Sequence, residues 1–306
     1  MQHQNKENTQ AQHHEQNQKN WYDKNYKLLM AIPVIMVVIS LVYLFMFYSK
    51  NNDFIYRDVS LSGGTTITLN GNINAEMLEK ELKSRHDDLN FRKLTDLRTG
   101  SLIAVVIESA AESETLKKDI EEILEITLTA ENSSIEFSGS SLSENFYKQL
   151  ITALIISFIL MSFVIFILFR TFIPSIAVIF AAFSDIVMPL ALLNYFSVKI
   201  SAAGIAAFLV LIGYSVDTDI LLTTRALKTS EGTLNSRIYK AFKTGIFMTI
   251  TALIAVLPAF FLVTGLPDSF RQIFLILALG LSADILNTWL TNAGILKWYC
   301  GRKGIK

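Results

Sequence analysis

Charged residues and cysteines are both scarce in this chain of 306 residues. Only 18% of the residues are charged and 51% are hydrophobic, whereas ordinary soluble domains are roughly 25% charged. The single cysteine, Cys300, excludes a disulfide within the chain, so any domain outside the cytoplasm must fold by burial alone. This composition is too apolar for an ordinary soluble protein.

Motifs for nucleotides, metals and enzyme chemistry are missing as well. Gly63-Gly64 lacks the Gly-Lys-Ser/Thr that a phosphate-binding loop requires. His3, His13 and His14 lie in a polar tail without the ligand spacing that fixes a metal geometry. We therefore expect no metal, no cofactor, no nucleic-acid partner and no enzymatic activity. Any energy source must then be an ion gradient or a partner protein.

Six apolar stretches are long enough to supply the ~20 residues that a membrane-spanning helix needs. The first begins after a polar tail and lacks a small-x-small cleavage site, which favours a retained helix over a signal peptide. The predicted spans are residues 28–48, 150–169, 174–196, 201–224, 241–263 and 270–296.

Positive charge is distributed unevenly between the two sides of these spans. Residues 50–148 carry 11 Lys+Arg against 18 Asp+Glu, whereas the two termini, Arg170 and the loop between the fourth and fifth spans hold 14 Lys+Arg. The remaining short connections hold only Lys199 and Arg271. The positive-inside rule therefore predicts a plasma-membrane protein with both termini in the cytoplasm and residues 50–148 outside.

The resulting organisation has a large domain between the first span and the other five. We expect a disordered cytoplasmic tail over 1–27, because Gln, Asn and His there carry no apolar period. The other parts are a first transmembrane helix at 28–48, an external domain at 49–149, a five-helix transmembrane bundle at 150–296 and a basic cytoplasmic tail at 297–306.

Apolar periodicity predicts an α+β fold for the external domain. Val59, Leu61, Ile67 and Leu69 alternate around Gly63-Gly64, which favours a strand with a bend or bulge. A helix capped by Asn74 follows, with apolar positions at Leu78, Leu82 and Leu89, then strands near 91–98 and 102–107. A second helix around 116–124 and a strand at 135–137 complete the order β-α-β-β-α-β. That order is typical of a ferredoxin-like domain.

Four carboxylates lie at membrane depth: Asp185, Asp217, Asp219 and Asp284. An ionised group there costs roughly 2.5–3.5 kcal/mol, so such residues normally face a bundle interior and serve function. No Lys, Arg or His lies at the same depth, and desolvation then favours the protonated form. These acids are therefore proton-relay candidates. Asp217 and Asp219 are about 200° apart around a helix, so they cannot both face one site.

Other polar residues near these acids leave several interpretations open. Lys243 could bend towards Asp219 or extend to the membrane surface. Tyr214, Ser184, Thr249 and Thr251 could line a wet path, although hydroxyls often bond back to their own helix.

A purely structural interpretation of the polar residues competes with the relay. Protonated acids, together with Asn287 and Asn292, could simply hold helices to one another. The fourth span has a small-residue face at Gly204 and Ala207, where we expect a partner to join in the heterodimer that the family resemblance given next implies.

Several motifs resemble the SecF protein-export membrane proteins, which pair with SecD in the RND superfamily. The run Val59-Ser-Leu-Ser-Gly-Gly-Thr is similar to the family's Asp-Phe-x-Gly-Gly-Thr element, and residues 138–143 also match. The most specific match is Gly213-Tyr214-Ser215 in the run that ends at Arg225. Residues 283–294 look like the archaeal branch.

The resemblance implies an accessory export subunit that pairs with a SecD-like protein beside a SecYE-type translocon. It further implies contact with exported polypeptide and membrane lipids, and in bacteria coupling to proton flow. Bacterial members place their key carboxylate at the position of Thr218, which acids flank here on both sides. Their fifth-span arginine aligns with Lys243. Proton coupling is thus an expectation and not an inherited property.

Three other functions compete with a proton-driven export subunit. One is an RND-type half-transporter of lipids or small molecules, although residues 50–148 are few for that role. Another is a passive structural chaperone of the translocon. The weakest is an intramembrane protease, in which Asp185 and Asp217 would imitate an aspartyl pair.

Overall fold

The structure, a computed structural model, describes most of the chain with its side chains. The ranges so described are residues 24–71, 73–86, 89–96, 99–229, 232–261 and 270–305. Of the predicted disordered tail, residues 1–23 lie outside these ranges, so their disorder stays a prediction. Residues 24–27 instead belong to the helix of the first span.

Six helices in the described part are long and apolar enough to cross a membrane, which confirms the predicted number. Five are single α-helices, and the sixth consists of an α-helix, a π-helix and a second α-helix without a break. They are α1 (Gln2–Asn51), α5 (Ser140–Phe169), α6 (Phe172–Tyr195), α7 (Ala202–Lys228), α8 (Leu234–Leu262) and the run of α9 (Asp268–Leu286), a π segment (Asn287–Asn292) and α10 (Ala293–Lys303).

The spans form a bundle with α7 at its centre. Helix α7 contacts α5, α6, α8 and α9. Of the most apolar stretches of α6, α7 and the sixth span, 61%, 56% and 50% are buried, against 17%, 6% and 11% in α1, α5 and α8. The predicted acids of the fourth span therefore lie on one of the three most enclosed spans.

A small antiparallel sheet forms the domain between α1 and α5. Its strands are β1 (Gly64–Asn70), β2 (Asn90–Thr95), β3 (Leu102–Ser109) and β4 (Ser133–Ser138), in the order β2-β3-β1-β4. Each neighbouring pair is antiparallel. Two helices, α3 (Ala75–Arg85) and α4 (Ser113–Leu124), pack their apolar stripes on Ile67 and Ile107. Asn74 accepts from the backbone N–H of Met77 at 3.2 Å, as expected of its cap position.

The strand predicted around Val59 and Leu61 is wrong, since both belong to a short helix, α2 (Val59–Ser62). Asp58 caps this helix, and Leu61 is buried against the membrane bundle together with Leu193 and Ile200. The apolar spacing of Val59 and Leu61 therefore reflects a buried helical turn, and not a strand of the sheet. Leu89 lies beyond the end of α3, although it still packs on the same core.

Gly63 and Gly64 meet a backbone requirement. Their φ angles are +84° and +128°, in the region that favours glycine. A side-chain carbon at Gly63 would collide with the backbone of Ser140, and one at Gly64 with that of Ser109. The pair therefore allows α2, β1 and the start of α5 to come close together.

Backbone hydrogen bonds join the domain directly to the start of α7. The N–H of Ile200 donates to the carbonyl of Tyr56 at 2.6 Å, and the N–H of Asp58 donates to the carbonyl of Ile200 at 3.0 Å. The N–H of Ala202 donates to Ser60 Oγ at 3.1 Å. The helix that carries the central acids thus begins in contact with the domain.

Candidate functional site

Three of the four predicted acids meet inside the bundle. Asp185 comes from α6, Asp219 from α7 and Asp284 from α9. Their side chains are 1%, 0% and 0% exposed. We call these three residues the acid cluster. Sequence alone predicted acids at overlapping depth on three helices, and the packing of α6, α7 and α9 brings these three together.

Asp185 forms one side of the cluster. Its Oδ2 accepts a short hydrogen bond from the Ser215 hydroxyl, and its Oδ1 accepts from Asn287 Nδ2 at 2.6 Å. Helices α6 and α7 and the π segment all meet at this carboxyl. Both carboxyl oxygens of Asp185 thus have a neutral hydrogen-bond donor, and no cation is among these two partners.

Asp219 and Asp284 share a hydroxyl. Thr288 Oγ1 lies 2.9 Å from Oδ1 of Asp219 and 2.9 Å from Oδ1 of Asp284. Asn292 Nδ2 donates to Asp219 Oδ1 at 2.6 Å. Thr218 Oγ1 approaches Asp284 Oδ1 at 2.9 Å, so the position of Thr218 also faces the cluster.

The shared hydroxyl limits how protons are arranged. A threonine hydroxyl has one proton to donate and otherwise accepts. It can therefore donate to only one of the two carboxyls, and the second contact becomes a full hydrogen bond when that carboxyl itself carries a proton. Asp219 and Asp284 thus form a pair suited to holding one proton between them.

The π segment explains why two asparagines reach the cluster. Asn287 and Asn292 are five residues apart, which would separate them by about 140° on an α-helix. A π-helix closes its hydrogen bonds from i to i+5, so residues five apart come close to the same face. Both amides can then donate to acids, one to Asp185 and the other to Asp219.

No counter-cation reaches the cluster within the part of the chain that the structure describes. The ion pairs there involve other residues, and no group of three metal-ligating side chains is placed to hold a metal ion. Three oxygens at the cluster are buried without a hydrogen-bond partner: Asp219 Oδ2, Asn287 Oδ1 and Asn292 Oδ1. A buried, oxygen-lined site of this kind has unused capacity to accept hydrogen bonds, and of these three oxygens the one on Asp219 can also bind a proton.

Asp217 does not join the cluster. It is exposed on the outer face of α7, on the same stripe as Ala206, Val210 and Gly213. The sequence argument that Asp217 and Asp219 cannot face one site agrees with this arrangement. An aspartyl pair of Asp185 and Asp217 is excluded by it.

The predicted supporting residues have different positions. Ser215 and Thr218 are buried and touch the acids. Arg225 donates to the carbonyl of Lys240 at 2.9 Å and so ties α7 to α8. Lys243 is exposed, which does not fit an inward contact with Asp219. Tyr214 is half-buried, and its role stays a prediction.

The hydroxyls proposed to line a wet path mostly bond to their own helices. Ser184 donates to the carbonyl of Phe180 at 2.7 Å, and Thr251 donates to that of Phe247 at 2.7 Å. Thr249 is the exception, since its Oγ1 also lies 3.5 Å from Asp284 Oδ2.

The predicted dimer contact through Gly204 and Ala207 is wrong for this chain. Ala207 is 1% exposed, and a side-chain carbon on Gly204 would run into Gln272 of α9. These small residues let α9 approach α7 closely within one subunit. Asn287 and Asn292, for which the sequence left open a helix contact or a contact with a transported species, are donors to the acids. Both asparagines lie on the same span as Asp284, and this nearness in sequence was the available signal that they could reach the acids.

Six spans, a folded domain after the first and buried acids in the bundle define a multi-pass membrane protein with an ionisable site inside it. Residues 119–302 match the family described as protein export membrane protein SecD/SecF, C-terminal. The protein-export membrane protein SecF of Methanolacinia petrolearia is 34% identical over 279 residues, which cover 91% of this chain and 95% of that protein. SecF of Methanothermobacter thermautotrophicus is 38% identical over 284 residues, covering 90% and 93%. The chain belongs to the SecF family of protein-export membrane proteins, with its archaeal-type members.

A solved structure shares the fold. The crystal structure of SecDF, a translocon-associated membrane protein from Thermus thermophilus, matches with a TM-score of 0.69 at 16% identity. The match covers 90% of this chain and 38% of the SecDF chain. This chain therefore spans well under half of that protein.

Proposed function

We propose that this protein is an accessory subunit of the Sec export machinery that pairs with a SecD-like subunit beside a SecYE-type translocon. Membership of the SecF family supports the export role. The likeness to a SecDF chain of which this one covers 38% supports a partner that supplies the rest. In this proposal both termini are cytoplasmic and the domain between α1 and α5 is outside.

Proton flow through the acid cluster drives the subunit in this proposal. The observation that carries it is Thr288, whose single hydroxyl lies 2.9 Å from a carboxyl oxygen of both Asp219 and Asp284. That contact favours one shared proton, and the absence of a counter-cation in the described bundle leaves protons to neutralise the acids. Loss or gain of the shared proton would change which helices the hydroxyl joins.

The external domain is the working part that meets exported polypeptide. Its strand order β2-β3-β1-β4, with helices α3 and α4 on one face, supports a ferredoxin-like fold. Since α7 begins in hydrogen-bond contact with this domain and also carries Asp219, a shift of α7 reaches both ends. Membrane lipids surround the outer helices of the bundle.

An ion gradient should therefore be necessary for the subunit's effect. In membrane vesicles that contain the translocon, this chain and its SecD-like partner, a proton ionophore should abolish the stimulation of export that the pair provides. Basal export by the translocon alone serves as the control. Stimulation that survives the ionophore would favour a passive chaperone, and lipid transport by this chain without a partner would favour an RND-type half-transporter.

The outer stripe of α7 is the surface for the SecD-like partner. Ala206, Val210, Gly213 and Asp217 are exposed and follow helical spacing. Small residues let a second helix approach closely. A carboxylate that faces hydrocarbon costs roughly 2.5–3.5 kcal/mol, so a partner's polar group would relieve Asp217.

Crosslinking distinguishes this stripe from the buried face of the same helix. With Cys300 replaced by alanine, a cysteine introduced at Val210, which is 61% exposed, should capture the SecD-like subunit. A cysteine at Ala207 should not, because that position is packed inside the bundle. Capture of only a second copy of this chain from Val210 would contradict the assigned surface.

A further inference from the structure

The turn between α6 and α7 is an extended segment with hydrogen-bond partners on two sides. On one side, Ile200 forms a parallel bridge with the domain, because its N–H donates to the carbonyl of Tyr56 and its carbonyl accepts from the N–H of Asp58. In an extended chain, the polar backbone groups of successive residues point in opposite directions. Lys199 and Ser201 therefore present a carbonyl and an N–H to the other side of the turn.

The side chain of Gln272, near the start of α9, binds these two backbone groups. Its Oε1 accepts from the N–H of Ser201 at 2.7 Å, and its Nε2 donates to the carbonyl of Lys199 in a short hydrogen bond. The Oε1 also accepts from the Ser201 hydroxyl at 2.6 Å. A glutamine amide has a donor and an acceptor as a peptide group does, so it takes the place of a neighbouring strand. We call these three contacts the amide clamp.

The start of α7 is shaped around the amide clamp. The Ser201 hydroxyl accepts from the N–H of Gly204 at 3.2 Å, which caps α7, while it donates to Gln272. A side-chain carbon on Gly204 would lie 2.5 Å from Gln272 Oε1. Glycine within a helix is less stable than alanine. The space that the amide needs accounts for a glycine at this position.

All three helices that carry the acid cluster reach this turn and the domain segment beside it. Helix α7 begins there, Asn194 of α6 donates to the carbonyl of Phe54 at 2.7 Å, and α9 contributes Gln272. Apolar contacts also join them, since Ile276 of α9 lies in one buried cluster with Ile200. Hydrophobic contacts are non-directional, whereas hydrogen bonds fix distance and direction. The amide clamp therefore sets the position of α9 against α7 and the domain.

We propose that Gln272 is the positioning residue through which a change at the acid cluster reaches the domain. Asp284 lies about 18 Å further along the same helix. It shares the Thr288 hydroxyl with Asp219 of α7, so transfer of their proton alters how α9 meets α7. Helices carry such changes as rigid elements. The inference rests on the proposed function, which supplies the proton change.

Amide hydrogen exchange in the full-length chain, held in lipid nanodiscs, tests this coupling. Asp219→Asn keeps the cluster in one hydrogen-bonded form, so exchange over residues 54–60 should slow by about twofold or more. Gln272→Met has a similar length but makes none of the three clamp contacts. In that background, the added Asp219→Asn change should leave exchange over 54–60 unaltered. Gln149→Met, at an exposed glutamine of α5, should keep the full response.

Two further variants separate a lost contact from a lost fold. Gly204→Ala should displace the amide from the α7 side and remove the response as Gln272→Met does, with no further effect when the two are combined. Gln272→Glu keeps the acceptor for Ser201 and should give an intermediate response. Exchange over β1, which lies outside the clamp, should stay as in the wild type in every variant.

The possible outcomes distinguish this coupling from the proposed function. A full response in Gln272→Met or in Gly204→Ala would overturn the role of Gln272. No response to Asp219→Asn in the otherwise unchanged chain would overturn communication between the acid cluster and the domain. A normal response in a protein whose export ignores a proton ionophore would refute the proposed function and leave the coupling through Gln272 supported.

Discussion

Asp219→Asn should abolish gradient-driven export, whereas Asp217→Asn should leave it within about twofold of the wild type. Asparagine is nearly isosteric with aspartate but cannot take up a proton at neutral pH. Asp219 shares the Thr288 hydroxyl with Asp284, so its loss removes the proton pair. A barrier raised by more than ~1.4 kcal/mol slows a step at least about tenfold. Export of a reporter into vesicles, with and without an imposed proton gradient, measures both variants.

The Asp217 variant is a matched control on the same helix. Asp217 faces outwards and contributes no contact to the acid cluster, and substitutions away from buried features usually change stability by about 0.5 kcal/mol or less. Asparagine keeps a polar side chain on that surface, so pairing with the SecD-like partner should persist as well. Asp219→Glu, which retains a titratable group, should recover part of the activity. Full gradient-driven export by both asparagine variants would exclude the relay.

An acid at either of two adjacent positions of α7, that of Thr218 or that of Asp219, can take part in the same site. The family resemblance places the bacterial carboxylate at Thr218, which here is fully buried and 2.9 Å from Asp284. Asp219 is the next residue and is bridged to the same Asp284 through Thr288. The last span therefore supplies an acid beside Thr218, and α7 supplies a second acid at the next residue.

Hydropathy and periodicity predicted the large features of the fold. Each span is a long apolar run, so its existence depends on local sequence and a bilayer's thickness. The helices and strands of residues 64–138 also follow from local apolar spacing, as Leu78 and Leu116 illustrate. The direction of the Lys243 side chain could not be predicted in the same way, because its length lets the ammonium group reach either Asp219 or the membrane surface.

Rotation about the helix axes could not be predicted from the sequence. Which of Asp217 and Asp219 faces inwards depends on how α7 packs against α6 and α9. The same holds for Ala207, whose small side chain fits a contact within one subunit as well as a contact between two. The π segment was also beyond reach, because its winding is stabilised by tertiary contacts and has no local composition signal.

Asn292→Leu should reduce gradient-driven export about tenfold or more without preventing assembly. Leucine has a similar volume, so the helix packing persists, but the donor to Asp219 at 2.6 Å is lost. Hydrogen bonds to charged groups are worth ~1.5–3 kcal/mol. Without this one, Thr288 is the remaining described donor to Asp219 Oδ1, and the shared proton is held more firmly on Asp219. The same vesicle assay, with co-purification of the SecD-like subunit, measures both quantities.

Thr291→Val is the matched control within the π segment. Thr291 is also fully buried, but its hydroxyl has no hydrogen-bond partner, so valine removes nothing that the acids use. We expect it to export as the wild type does. Equal losses in Thr291→Val and Asn292→Leu would mean that any change in the π segment disturbs packing. An active Asn292→Leu variant would mean that the π winding positions Asn292 for helix contact alone, because the charge on Asp219 would then need no amide donor.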